Sequence, residues 1–192
     1  MRNGDRQLKG ALVEWLFEQP WCGLVFTSGG DGIKGGIPGT FDRSLVMTDH
    51  ERASEIYYIM RNDDAVDANG VVGGCYFDGK YPEGGSVHGG LHPKELNIVL
   101  MAQGTQFRHS FQSDYPAGII DIAPTVLHLL GLPRPDGMDG RALSEGLVGC
   151  LLKPQEPERL ENSVGAAARR QHLQFSRVGS TLYLDGGWVG QG

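Results

Sequence analysis

The stretch GGSVHGGLHPKELNIVLMAQG, residues 84–104, joins a glycine-rich loop to a nearly continuous apolar run, and the rest of the chain is interpreted around it. Within it, residues 96–104 (LNIVLMAQG) have the composition of a strand that is covered on both faces. Such a strand belongs near the centre of a sheet. The run therefore predicts a central strand with other elements packed on either side of it.

Two histidines lie in the loop before this strand, and metal binding, base catalysis and a solvated surface position are the three explanations for them. His88 and His92 have the four-residue spacing that places two metal ligands on one face of a helix. Gly89 and Gly90 disfavour a helix, however, and Pro93 keeps His92 out of the α region. We therefore do not expect the two rings to chelate one ion, although one of them can still act as a single ligand.

Hydrophobic periodicity and turn residues predict the elements around this strand. They are a helix over 6–18, strands at 23–29 and 55–63, helices over 121–131 and 141–149, a polar and at most helical segment over 151–172, and a last strand at 180–187. Asp121 is expected to cap its helix, and Gly131 to close it in a left-handed conformation. The predicted fold class is α/β, with about four strands and three helices.

Composition excludes several classes of protein. The chain has 192 residues and a formal net charge of −6, which gives no basic footprint for nucleic acid. No apolar run is long enough to cross a bilayer, and Glu14 and Glu18 interrupt the first apolar segment, so no signal peptide is expected. Three cysteines without CxxC spacing argue against a disulfide framework or a thiolate metal site. The cysteines do not indicate a redox compartment.

Four short motifs follow one another within residues 75–150. They are His88-Gly89, the strand end Ala102-Gln103-Gly104, the helix Asp121 to Gly131, and the turn Met138-Asp139-Gly140-Arg141. In this order and at this spacing they resemble the C-terminal part of the alkaline phosphatase superfamily. The resemblance is closest to the type I phosphodiesterase and nucleotide pyrophosphatase branch, with the sulfatases as neighbours.

This resemblance implies a fold, a cofactor and an activity. The chain is expected to form the C-terminal lobe of an alkaline-phosphatase-like sandwich, with helices flanking a mixed sheet, as one incomplete domain over residues 1–192. His88 corresponds to the last zinc-binding histidine of a site that holds two zinc ions in the complete enzyme. Such enzymes hydrolyse phosphodiester, nucleotide pyrophosphate or sulfate-ester bonds, and family members are often exported.

Two features of that family's catalytic site are missing from the sequence. No aspartate lies four residues before any of the six histidines, so the Asp-x-x-x-His motif is absent, and no strand-to-helix turn bearing a nucleophile appears. The catalytic half is expected before Met1. The chain alone is therefore expected to be inactive, and to need that missing part or self-association.

Other residues allow competing interpretations. Asp49-His50 resembles the family's Asp-His ligand pair, but Glu51 and Arg52 follow where the family has a glycine, so a surface position for His50 is favoured. The alternatives are a non-catalytic accessory or interaction module, and a small metal-binding protein that uses Asp49, His50 and His88.

Four histidines have no second ligand at a metal-site spacing: His92, His109, His128 and His172. Asp139 is expected to stabilise its turn. The glycine-rich loop over 29–40 lacks the GK[ST] of a phosphate-binding P-loop.

Overall fold

The computed structural model describes residues 3–66, 68–80, 88–166 and 168–191. Within these ranges the chain forms three α-helices and eight strands, so the coarse prediction of a mixed α/β chain is confirmed. The elements are α1 (Asn3–Glu18), β1 (Cys22–Thr27), β2 (Phe41–Asp42), β3 (Ile56–Met60), β4 (Asn62–Val66), β5 (Val72–Cys75), α2 (Pro93–Leu96), α3 (Ile122–Leu129), β6 (Glu158–Ala166), β7 (Arg169–Val178) and β8 (Thr181–Gln191). None of the helices described is long and apolar enough to cross a bilayer.

The strands form three small sheets, ordered β2-β1-β3, β4-β5 and β6-β7-β8. In the first sheet β1 pairs with β2 in parallel and with β3 antiparallel, so that Phe26 lies opposite both Phe41 and Tyr57. Every residue of β1 is buried. The first sheet is therefore mixed and has a fully covered central strand, but this strand is β1 and not residues 96–104.

The chain divides into two compact units. Unit 1 consists of Met1–Asn97, Glu161–Gln174 and Asp185–Gly192, and unit 2 of Ile98–Leu160 and Phe175–Leu184. The long strands β6, β7 and β8 each contribute residues to both units. The prediction of one incomplete domain over residues 1–192 is not decided by this division.

The core of unit 1 forms where α1 packs on β1. Val13 and Leu16 of the helix are buried with Cys22 and Val25 of the strand. These two helical positions lie three residues apart and so share one face of the helix. The predicted helix over 6–18 is thus confirmed, although Leu8, Leu12 and Trp15, three other apolar residues of this helix, are exposed.

The predicted central strand at 96–104, most of which lies in unit 2, is wrong. Residues 97–103 form no regular element, and Ile98 to Met101 are exposed, Val99 by 76% and Met101 by 86%. An apolar pattern implies burial only if another element covers it, and among the described residues these four side chains stay largely uncovered. The helix at 121–131 is confirmed as α3, and Gly131 follows it with a φ of 67°.

Two further predictions near the C-terminus need correction. The predicted helix over 141–149 is only a 3₁₀ turn at Ser144–Gly146. Residues 158–166 and 169–172 belong to β6 and β7, so the segment over 151–172 is largely extended and not helical. The predicted strands at 23–29, 55–63 and 180–187 are confirmed by β1, β3 and β8.

Candidate functional site

His88 lies in an irregular segment of unit 1, and its side chain is exposed. Gly89 follows with a φ of 105° and open space where a Cβ would stand. This conformation favours glycine, so the residue after His88 is one that lets the loop bend sharply. The preceding residues of the motif, 84–87, lie outside the described residues. The assignment of His88 as a zinc ligand remains a prediction.

Across the ranges that the structure describes, no three His, Cys, Asp or Glu side chains are grouped so that they could hold a metal ion. A zinc site ordinarily needs three or four protein ligands. His88 fits zinc as a nitrogen donor, but as one donor it accounts for only part of such a site.

The Asp49-His50 pair is engaged in local structure. Arg43 donates from Nε to Oδ1 of Asp49 at 3.2 Å, and from Nη1 and Nη2 to the carbonyl oxygens of Ser54 and His50 at 2.8 and 3.3 Å. The exposed His50 ring accepts the Arg52 N–H at Nδ1 over 3.2 Å. The segment is thus wrapped around the Arg43 guanidinium, to which it contributes the Asp49 carboxylate and the backbone carbonyl of His50.

His92 has two hydrogen-bond partners that its sequence spacing does not indicate. Its ring is buried, and Nδ1 accepts the backbone N–H of Lys94 at 3.1 Å, which caps α2. Because Nδ1 is an acceptor, Nε2 carries the proton and donates to Oδ1 of Asp64 at 3.0 Å. Pro93 favours the first helical position and makes the residue before it a capping position, and His92 has the extended backbone that Pro93 predicts.

In unit 2, Asp121 is fully buried and lies at the centre of a polar network. Its carboxylate accepts the backbone N–H of Gly118 at 2.9 Å, the backbone N–H of Arg141 at 2.8 Å and the Tyr183 hydroxyl at 3.0 Å. It makes no side-chain hydrogen bond to the first turn of α3. The prediction that Asp121 caps this helix is therefore wrong, because its oxygens accept from the Gly118 N–H before the helix and from the distant Arg141 and Tyr183.

The Arg141 guanidinium extends this network. It donates from Nη1 and Nη2 to the two carboxylate oxygens of Glu145 at 2.8 Å each, and from Nε to the Tyr183 hydroxyl at 3.1 Å. Burial alone would raise the pKa of Glu145, but the hydrogen bonds and the charge of Arg141 outweigh it and lower that pKa. Burial also raises the pKa of Tyr183. The Tyr183 hydroxyl thus stays protonated and donates to Asp121.

The motifs at 121–131 and 138–141 pack directly on each other. A Cβ at Gly140 would lie 2.0 Å from the carbonyl oxygen of Ile120, so this position requires glycine. The Thr125 hydroxyl accepts the backbone N–H of Leu143 at 3.0 Å. Asp139, which was expected to stabilise the turn, accepts a hydrogen bond from the Thr181 hydroxyl at 2.9 Å through its backbone carbonyl. The residues that carry much of the family resemblance therefore have a structural role in unit 2.

The remaining three histidines make local contacts among the described residues. His172 lies 2.9 Å from Glu161 through Nδ1 and stacks on Trp188. His128 approaches the Cys150 sulfur at 3.9 Å, and His109 contacts the hydroxyl of Ser110.

No family model matches the chain. No curated protein and no solved structure matches it either. The resemblance to the alkaline phosphatase superfamily consequently rests on the motifs quoted above.

Proposed function

We propose that this chain contributes the last metal-binding histidine, His88, to a zinc-dependent hydrolase of the phosphodiesterase and nucleotide pyrophosphatase type. The observation that carries the proposal is the ordered set of four motifs between His88 and Arg141. Two of these motifs pack on each other around Asp121, as expected if they were retained together as one structural unit. The remaining zinc ligands and the nucleophile then come from residues outside this chain.

The proposed role of His88 follows from the chemistry of its side chain. A neutral imidazole binds zinc through nitrogen without reducing the positive charge of the ion. In a two-metal hydrolase the zinc ions activate the nucleophile and stabilise the leaving oxygen. The exposed position of His88 leaves its ring accessible to ligands supplied by another segment or chain. The expected substrates are phosphodiester, nucleotide pyrophosphate or sulfate-ester compounds.

A second candidate is a non-catalytic interaction module. It is favoured by the apolar side chains that unit 2 exposes, among them Ile98, Val99, Met101, Leu130 and Leu151. Exposed apolar residues in such number are typical of surfaces that bind another polypeptide. This candidate differs from the first in needing neither His88 nor zinc.

The sequence encoded upstream of Met1 separates the two candidates. We expect it to encode an Asp-x-x-x-His motif and a threonine or serine nucleophile. The longer polypeptide should bind zinc and hydrolyse a nitrophenyl phosphodiester. Replacing His88 by alanine there should lower turnover by more than the roughly 10- to 100-fold typical when a hydrogen-bond partner of a metal ligand is lost.

The matched control is His109→Ala, because His109 is also an exposed loop histidine. It should leave turnover and zinc content unchanged. Equal turnover of the His88→Ala and wild-type polypeptides would contradict the proposed role of His88. An upstream region without these motifs would favour the interaction module.

A further inference from the structure

Unit 1 contains a cavity of about 600 Å³, which we call the loop cavity. Its walls are the glycine-rich loop over 34–40, residues 163–166 of β6, the beginning of β7, and Arg6 of α1. Cavities of roughly 300–1,000 Å³ are the size that binds small molecules. His88 does not line this cavity.

The charge of the loop cavity is opposite to that of the chain. Four of its lining residues are cationic, namely Arg6, Lys34, Arg169 and Arg170, and no Asp or Glu is among the lining residues that the structure describes. The whole chain carries a net charge of −6. Cations that line one cavity without a carboxylate among the lining residues repel one another, and a bound anion reduces this repulsion.

Arg169 is held in place mainly by neutral groups. Its Nη2 donates to the carbonyl oxygens of Cys22 and Gly23, and its guanidinium lies 5.0 Å from the centre of the Phe17 ring. Its Nε is buried and has no hydrogen-bond acceptor among the described residues. Within the same ranges no carboxylate forms an ion pair with it. Burial and the charge of Arg61 lower the pKa of Arg169, so its charge is destabilised where it stands.

Glycine allows the loop to form the other wall. Gly39 has a φ of 82°, and a Cβ there would lie 2.6 Å from Cβ of Ala166 on β6. A Cβ at Gly36 would lie 2.4 Å from the carbonyl oxygen of Ser28. The loop backbone can therefore approach its neighbours closely, and a side-chain-free backbone also lets a ligand approach its peptide groups.

We propose that the loop cavity binds a small oligophosphate anion, that is, a ligand carrying two or more linked phosphate groups. Guanidinium groups match the geometry of phosphate oxygens, and several cations around one cavity suit an anion with several negative charges. A cavity of about 600 Å³ suits a small ligand better than a nucleic acid, and the acidic balance of the chain opposes a long polyanion. This binding needs neither zinc nor His88, and so goes beyond the proposed function.

The test is calorimetric titration of the full chain with pyrophosphate, tripolyphosphate and inorganic phosphate, with EDTA present. We expect saturable binding of pyrophosphate and tripolyphosphate, weaker binding of inorganic phosphate, and loss of affinity as sodium chloride increases. Lys34→Gln and Arg170→Gln, which alter exposed side chains, should each weaken pyrophosphate binding about fivefold or more. The variant Arg159→Gln, an exposed cation on β6 outside the cavity, should stay within about twofold of wild type.

Three results would overturn the proposal. The first is no saturable binding of pyrophosphate by the wild-type chain, and the second is an equal loss of affinity in the Arg159→Gln variant. The third is loss of binding in the His88→Ala variant, which would assign the anion to the zinc ligand instead. Unchanged pyrophosphate binding by His88→Ala, together with failure of the zinc experiment, would separate this inference from the proposed function.

Discussion

Replacing Asp121 by asparagine tests whether the buried network holds unit 2 together. The carboxylate accepts three hydrogen bonds at 2.8 to 3.0 Å, and asparagine must turn its NH₂ group toward one of those donors. Either orientation leaves a backbone N–H, of Gly118 or of Arg141, facing another donor. A buried donor without an acceptor costs about 1–3 kcal/mol, and the loss of charge-assisted hydrogen bonds adds to this. We expect Asp121→Asn to destabilise unit 2 by roughly 2–3 kcal/mol.

The assay has to report on unit 2 itself. All three tryptophans, Trp15, Trp21 and Trp188, lie in unit 1, so fluorescence follows the wrong unit. Hydrogen–deuterium exchange of peptides covering α3 measures the local opening free energy, and 2–3 kcal/mol corresponds to exchange that is roughly 30- to 150-fold faster. The control is Asp139→Asn, the same substitution at a nearby exposed side chain, which should change exchange little. Equal exchange rates in the two variants would refute the role given to Asp121.

Three further predictions concern pH, a glycine and self-association. The pKa of Glu145 is lower in the folded chain than its ordinary value of 4.5. The contribution of Glu145 to stability is therefore complete above pH 4.5 and is lost as the pH falls further. Urea midpoints of the wild type should therefore fall below pH 4.5 by more than those of Glu145→Gln, in which only the other carboxylates titrate; parallel curves would contradict this. Gly140→Ala should lower the free energy of unfolding by about 2–3 kcal/mol. Gly10 lies inside α1 with open space around it, so Gly10→Ala should raise that free energy by about 0.5–1 kcal/mol. Urea unfolding followed by circular dichroism measures both changes. The chain should self-associate in size-exclusion chromatography as concentration rises, and replacing Val99 and Met101 by lysine should reduce this; a compact monomer at every concentration would be contrary to it.

The elements predicted correctly are those that local pattern determines. Strand β1 is short, apolar and bounded by turn residues, and α3 ends at a glycine with a left-handed conformation. Residues 98–101 were predicted wrongly because an apolar run specifies a buried strand only where other elements cover it. Strand β7 was missed because one of its buried residues, Gln171, is polar and binds the backbone N–H of Val25 at 2.7 Å, far away in sequence.

The candidate site was predictable only in part. The choice of His88 came from a motif, and the structure adds that its ring is exposed. The network of Asp121 could not be read from spacing, because its donors come from positions 118, 141 and 183. The cations of the loop cavity were equally hidden, since Lys34 and Arg170 are brought to one cavity only by folding.

The zinc content of the purified 192-residue chain tests the central claim most directly. After equilibration with zinc and dialysis, we expect well below one zinc ion per chain in the wild type, because His88 is one donor and a stable site needs three or four. His50→Ala and Asp49→Asn should leave that low value unchanged. One tightly held zinc ion per chain, lost on replacing His50 or Asp49, would show that the chain builds a complete site from its own residues and would contradict the account.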